Sequence, residues 1–142
     1  MYISDAKRLT AAGARKIVDA AVSRAKQENI AITVAVVDAG GHLIVLERMD
    51  GGKFHSVHSA TTKAVCAASN KRNTGATGAV GQSLDVMHAL GLALAAGPER
   101  WTAMEGGCPI MAGNECIGGV GVAGGNWEFD ERVAKEAVAA IK

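Results

Sequence analysis

The sequence predicts a single α+β domain over residues 1–142, in which an antiparallel sheet of about five strands carries helices on both faces. Its 142 residues, 49% hydrophobic and 20% charged, are enough to fold around one core. Segments with helical and strand periodicity follow in the order α-β-β-α-α-β-β-β-α, without an evident β-α-β crossover. The first two strands are apolar on both faces, so each face requires cover.

The first half of the chain contains two predicted helices and a hairpin. Small apolar residues recur at every fourth position and predict a helix that begins at a Ser4 cap and ends near Gln27. The segments 30–37 and 42–49 predict two strands joined by a glycine-containing turn. Residues 55–70 return to helical spacing and predict the second helix.

The second half of the chain predicts a helix at 83–95, strands at 101–104, 109–112 and 115–122, and a helix at 127–141. A two-residue turn at Gly113-Asn114 would pair the last two strands, with Met111 opposite Cys116 and Cys108 opposite Gly119. Asn126 is the expected cap of the last helix.

The charge and the cysteine content of the chain indicate which partners and which compartment to expect. The formal charge of +1 gives no general attraction to phosphate backbones, so a nucleic-acid partner is not expected. The charged N-terminal residues and the lack of a long apolar run predict neither an export signal nor a membrane anchor. Three cysteines without a C-x-x-C pair predict free thiols, and we therefore expect a cytoplasmic protein.

Three groups of motifs, in this order along the chain, resemble those of the GlcG/HbpS-type family: residues 34–43 with 47–51, residues 62–67 with Thr74, and residues 106–110, 117–125 and 130–131. In the second group Cys66 stands where the family pattern usually has threonine. The resemblance covers most of the chain.

The resemblance implies a profilin-like antiparallel sheet and assembly into homo-oligomers. It also implies binding of haem or another tetrapyrrole, because some members bind haem or take part in its degradation. Other members occur in cobalamin-linked PduO-type proteins or are encoded beside glycolate or diol metabolism. Haem is therefore the cofactor that the resemblance implies, although the residues alone require none.

The best candidates for a haem-iron ligand are His55 and His58. They lie three positions apart on a predicted helix, and imidazole is a common axial ligand of haem iron. Two solvent-facing helix histidines are the alternative. On spacing alone, one can face inward while the other lies at the rim.

A second candidate group consists of Arg48, Asp50 and Lys63, which could hold a propionate or a small carboxylic acid. A salt bridge that fastens the hairpin to the helix is an equal alternative. We predict one pocket lined by Arg48, Asp50, His55 and His58, with Lys63 as a structural or anionic-group contact. The backbones at Gly106-Gly107 and Gly124-Gly125 are expected as walls, so Gly107 and Gly124 join the candidate cofactor-binding residues.

The run from Gly119 to Gly124 matches G-x-G-x-x-G, but no second parallel strand follows it. We interpret it as a strand whose glycines permit close packing or ligand approach.

Three functions remain open: a haem- or tetrapyrrole-binding protein that assists haem turnover, an enzyme acting on small carboxylic acids, and an accessory subunit of a glycolate- or diol-type pathway.

Overall fold

A computed structural model describes residues 1–142 and confirms the α+β class. Its elements are α1 (Ala11–Gln27), β1 (Thr33–Asp38), β2 (Leu43–Arg48), α2 (Ser56–Asn70), α3 (Val86–Ala96), β3 (Gly107–Ala112), β4 (Glu115–Ala123) and α4 (Trp127–Val138), followed by a 3₁₀ turn at Ala139–Ile141. The strands form one antiparallel sheet in the order β2-β1-β4-β3. None of the helices combines the length and the apolar sequence that a membrane-spanning helix requires.

The sheet has four strands, so the expected fifth strand at 101–104 is wrong. The backbone N–H of Trp101 donates to Gly97 O, and that of Met104 donates to Thr102 Oγ1. These two N–H groups are bonded within local turns and therefore do not pair with a strand. The Trp101 side chain is buried although its backbone lies outside the sheet. The profilin-like label stays an implication of the resemblance.

The first helix begins later than the sequence predicts. Thr10, not Ser4, is its cap, because Thr10 Oγ1 accepts a hydrogen bond of 3.0 Å from Gly13 N. The cap of the last helix agrees with the prediction: Asn126 Oδ1 accepts from Phe129 N at 2.8 Å.

The helices lie on the two faces of the sheet as predicted. The larger core joins α1 and α4 to one face, and a smaller core of mostly alanine residues joins α2 to the other. β1 is buried, but β2 forms an edge of the sheet and its residues are only partly covered, with Leu43 53% exposed. The expectation that both strands of this hairpin are fully covered is therefore wrong for the second strand.

The β3–β4 hairpin turns at the predicted Gly113-Asn114, and Met111 pairs with Cys116. Cys108 pairs with Val120 rather than with Gly119, because a β-bulge between Ile110 and Met111 shifts the register by one residue. A turn fixes only the register nearest to it, and the bulge changes the rest.

The glycines of β4 allow α2 to lie directly on the sheet. A Cβ atom on Gly119 would meet the carbonyl oxygen of Ala64, and one on Gly121 would meet that of Ala60. The first two glycines of the G-x-G-x-x-G sequence thus serve close packing of α2 on an antiparallel strand, in agreement with the interpretation of the sequence.

Candidate functional site

The third helix differs from the others because none of its residues is buried, although it consists almost entirely of apolar side chains. Val86, Ala89, Leu90 and Ala93 share one face and line a cavity of about 540 Å³ between α3 and α2. The remaining lining residues are His58, Ser59, Thr62, Lys63, Ala76, Leu84, Asp85, Pro98, Trp101, Thr102 and Ala103.

A second, more polar cavity of about 870 Å³ lies on the other side of α3. Leu92 and Ala96 of α3 line it, together with the β1–β2 turn and the C-terminal end of α2. Trp101 lines both cavities. A helix that is apolar on all sides is normally enclosed by the rest of the protein. The side chains of α3 instead face two cavities, and none of its residues is buried.

The structure does not bring the predicted pocket residues together. His58 lines the α2–α3 cavity, but Arg48, Asp50 and His55 do not. Asp50 lines a separate, smaller cavity beside Met49, and His55 is an exposed residue just before the first turn of α2. Proximity along the chain therefore did not create a common pocket, although whether each residue binds a ligand stays a prediction.

Lys63 is held inside the protein. Its Nζ donates to Val122 O at 2.8 Å and to Asp130 Oδ2 at 3.3 Å, and both side chains of the ion pair are buried. Asp130 Oδ1 accepts from Gly125 N at 3.0 Å. Burial raises the pKa of the Asp130 carboxyl, and the Lys63 ammonium opposes this shift. The pair joins α2 to the end of β4 and to α4, which supports the structural role considered for Lys63.

Gly107 and Gly124 line neither cavity. A Cβ on Gly107 would meet Lys63 O, and its backbone N–H donates to Thr74 Oγ1 at 2.8 Å, so Gly107 closes the sheet against α2. Gly124 has a φ of +121° and turns the chain from β4 toward α4. Both are packing and turn positions in this structure, and ligand contact by either stays a prediction.

Sequence reasoning missed most of the cavity. Leu84, Leu90 and Trp101 come from segments far from the motifs, and nothing local in the sequence predicts that they meet α2. Thr62 could have been found, because it follows His58 by four positions and so shares a helix face with it. The Thr62 hydroxyl is the one buried side-chain polar atom without a hydrogen-bond partner.

The cysteines lie apart from one another. All three are free, and Cys66 and Cys108 are buried. Burial raises the pKa of both buried thiols, which disfavours the reactive thiolate. Cys66 Sγ lies 3.7 Å from Thr102 O, between α2 and the segment that follows α3.

Comparison with known proteins identifies the family of this chain. A family model described as "Haem degrading protein HbpS-like" matches residues 9–139, so the chain belongs to the HbpS-like family. It is 32% identical to Protein GlcG of Escherichia coli K12 over 110 residues, which is 78% of this chain and 77% of GlcG.

Two solved structures share the fold over nearly the whole chain. One is a PduOC:haem complex, with a TM-score of 0.81, 27% identity and 96% of each chain covered. The other is an HbpS double mutant from Streptomyces reticuli, with a TM-score of 0.82, 29% identity, and coverage of 99% of this chain and 91% of that one.

Proposed function

We propose that this protein binds haem, or a closely related tetrapyrrole, in the cavity between α2 and α3, with His58 as the iron ligand. The observation that carries the proposal is that His58 is the one histidine lining an otherwise largely apolar cavity. Membership of the HbpS-like family and the fold shared with a PduOC:haem complex support the choice of ligand.

The residues fit a tetrapyrrole. Apolar side chains from α3 and from Leu84 and Trp101 can cover a flat hydrophobic ring system, and eight of the fifteen lining residues are hydrophobic. The volume of about 540 Å³ lies within the usual range for ligand pockets. Haem supplies an iron that binds imidazole, and His58 supplies the imidazole.

The small-carboxylate enzyme is less well supported. In that function Lys63 and Arg48 would bind the carboxylate of the substrate. Lys63 is hydrogen-bonded to Asp130 and Val122, however, and Arg48 lies outside the cavity. Lys63 and Arg48 are therefore not placed to bind the same carboxylate. No specific contact favours the accessory-subunit alternative.

Hemin titration followed at the Soret band tests the proposal. We expect saturable binding by the parent protein and binding weakened at least about tenfold in His58→Ala, which corresponds to about 1.4 kcal/mol. His55→Ala is the matched control, because His55 and His58 are both exposed histidines and only His58 lines the cavity. Its affinity should remain within about twofold of the parent.

Two results would count against this site. A parent protein that gives no Soret shift at stoichiometric hemin does not bind haem. A weaker affinity in His55→Ala than in His58→Ala would move the iron ligand out of the cavity.

A further inference from the structure

Thr62 has a buried hydroxyl with nothing to bond to. The residue is 5% exposed and lines the α2–α3 cavity, yet its Oγ1 has no hydrogen-bond partner. Its neighbours behave differently: Thr61 Oγ1 donates to Val57 O at 2.7 Å, and Ser59 Oγ donates to His55 O at 3.3 Å. These bonds to the carbonyl four residues earlier are the usual arrangement for a hydroxyl on a helix.

An unpaired buried hydroxyl is costly, because it has lost its bonds to water and gained none in return. Such groups are rare in folded proteins, so each one calls for a physical explanation. Thr62 also lies one helical turn after His58, on the same face of α2. A ligand that reaches His58 in this cavity therefore passes close to Thr62.

We propose that the Thr62 hydroxyl donates a hydrogen bond to a carboxylate of the bound tetrapyrrole. This inference rests on the proposed function. The lining residues include no arginine, and the ammonium of their single lysine is bound to Asp130 and Val122. A hydroxyl that donates to an ionised oxygen makes a stronger bond than one that donates to a neutral acceptor. Threonine on a helix has two accessible χ1 rotamers, so rotation about one bond can exchange the methyl and the hydroxyl.

Replacement of Thr62 by valine should weaken ligand binding without weakening the fold. Thr62→Val keeps the shape and removes the hydroxyl, so we expect hemin affinity, measured by Soret titration, to fall about tenfold. The melting temperature of the ligand-free protein should stay the same or rise, because an unsatisfied buried group has been removed. Thr62→Ser keeps the hydroxyl and should bind hemin within about twofold of the parent.

Thr61→Val is the matched control, because the Thr61 hydroxyl is already bonded to Val57 O. It should leave hemin affinity unchanged. The dimethyl ester of hemin tests the acceptor, since the loss in Thr62→Val should shrink when the carboxylates are esterified.

The outcomes separate the two proposals. If the parent binds hemin and Thr62→Val binds it equally well, this inference fails while the proposed function stands. A fall in the melting temperature of ligand-free Thr62→Val would show that the hydroxyl serves the fold instead. An undiminished loss with the ester would overturn the carboxylate assignment. A parent that binds no hemin would overturn both proposals.

Discussion

Lys63 and Asp130 place two opposite charges where water does not reach. Both side chains are less than a tenth exposed, and each makes a further hydrogen bond to the backbone near the end of β4. Buried pairs of this kind seldom add much net stability, because removing two charges from water costs about as much as their attraction returns. Their effect here is positional, since they fix α2 and α4 relative to β4.

The raised pKa of Asp130 predicts a pH dependence of the free energy of unfolding. Burial moves this pKa above its ordinary value of 3.8, so the folded protein binds the proton more tightly than the unfolded chain does. The stabilising contribution of Asp130 is therefore complete at pH values below 3.8, and it is lost as the pH rises through the raised pKa. We expect the stability of the parent relative to Asp130→Asn to fall as the pH rises from about 4 toward neutrality.

Urea unfolding of both proteins at several pH values measures this difference. Comparison with Asp130→Asn removes the titration of the other carboxyls, which both proteins share. A difference that grows with pH would contradict the prediction, because it would mean that the Lys63 ammonium outweighs burial and lowers the pKa of Asp130.

At the scale of elements, the contact of α2 with β4 depends on the absence of side chains. The carbonyl oxygens of Ala60 and Ala64 occupy the space where Cβ atoms on Gly121 and Gly119 would lie. Backbone atoms cannot move aside as a flexible side chain can. Any side chain at these positions must push the whole helix away from the sheet.

Gly121→Ala should therefore destabilise the protein by about 3 kcal/mol, as expected for overpacking against backbone. Chemical denaturation measures the loss. Gly75→Ala is the control, because no atom lies within 4 Å of a Cβ placed there and its φ is not positive. Equal stability of the two variants would show that α2 can shift at little cost.

Elements with local signals could be predicted from the sequence. The segment 55–70 has helical spacing, and Gly113-Asn114 marks a two-residue turn, so the prediction of α2 and of the β3–β4 turn is confirmed, although the register beyond the bulge is not. The strand predicted at 101–104 is absent, because the backbone of this segment is hydrogen-bonded in local turns. Both Ser4 and Thr10 can cap a helix, and only the folded structure shows that Thr10 does so.

The candidate site depends on contacts between distant parts of the chain. Lys63 and Asp130 are 67 residues apart, and the cavity is lined by residues of both α2 and α3. No spacing rule connects such positions. The sequence could supply His58 as a candidate, but it placed Arg48, Asp50 and His55 beside it because they are close along the chain.

At the scale of the whole molecule, α3 is the least anchored element. Met87 and Leu94 are 74% and 70% exposed, and no residue of the helix is buried. An isolated helix of its length, 11 residues, is marginal in water, so most of its stability must come from what it contacts. The homo-oligomer expected from the family resemblance stays a prediction, and self-association is one way to cover these side chains.

Hydrogen exchange should identify α3 as the segment that responds to the ligand. In dilute ligand-free protein, the amides of α3 should exchange faster than those of α2 and α4, which bury many residues. Bound hemin should slow exchange in α3, because the face formed by Val86, Ala89, Leu90 and Ala93 would then pack against the ring. The β3–β4 turn is the internal control, since Gly113 and Asn114 are exposed and line neither of the two cavities beside α3. Exchange in α3 of the dilute ligand-free protein as slow as in α2 and α4, or exchange in α3 that bound hemin does not slow, would contradict the prediction.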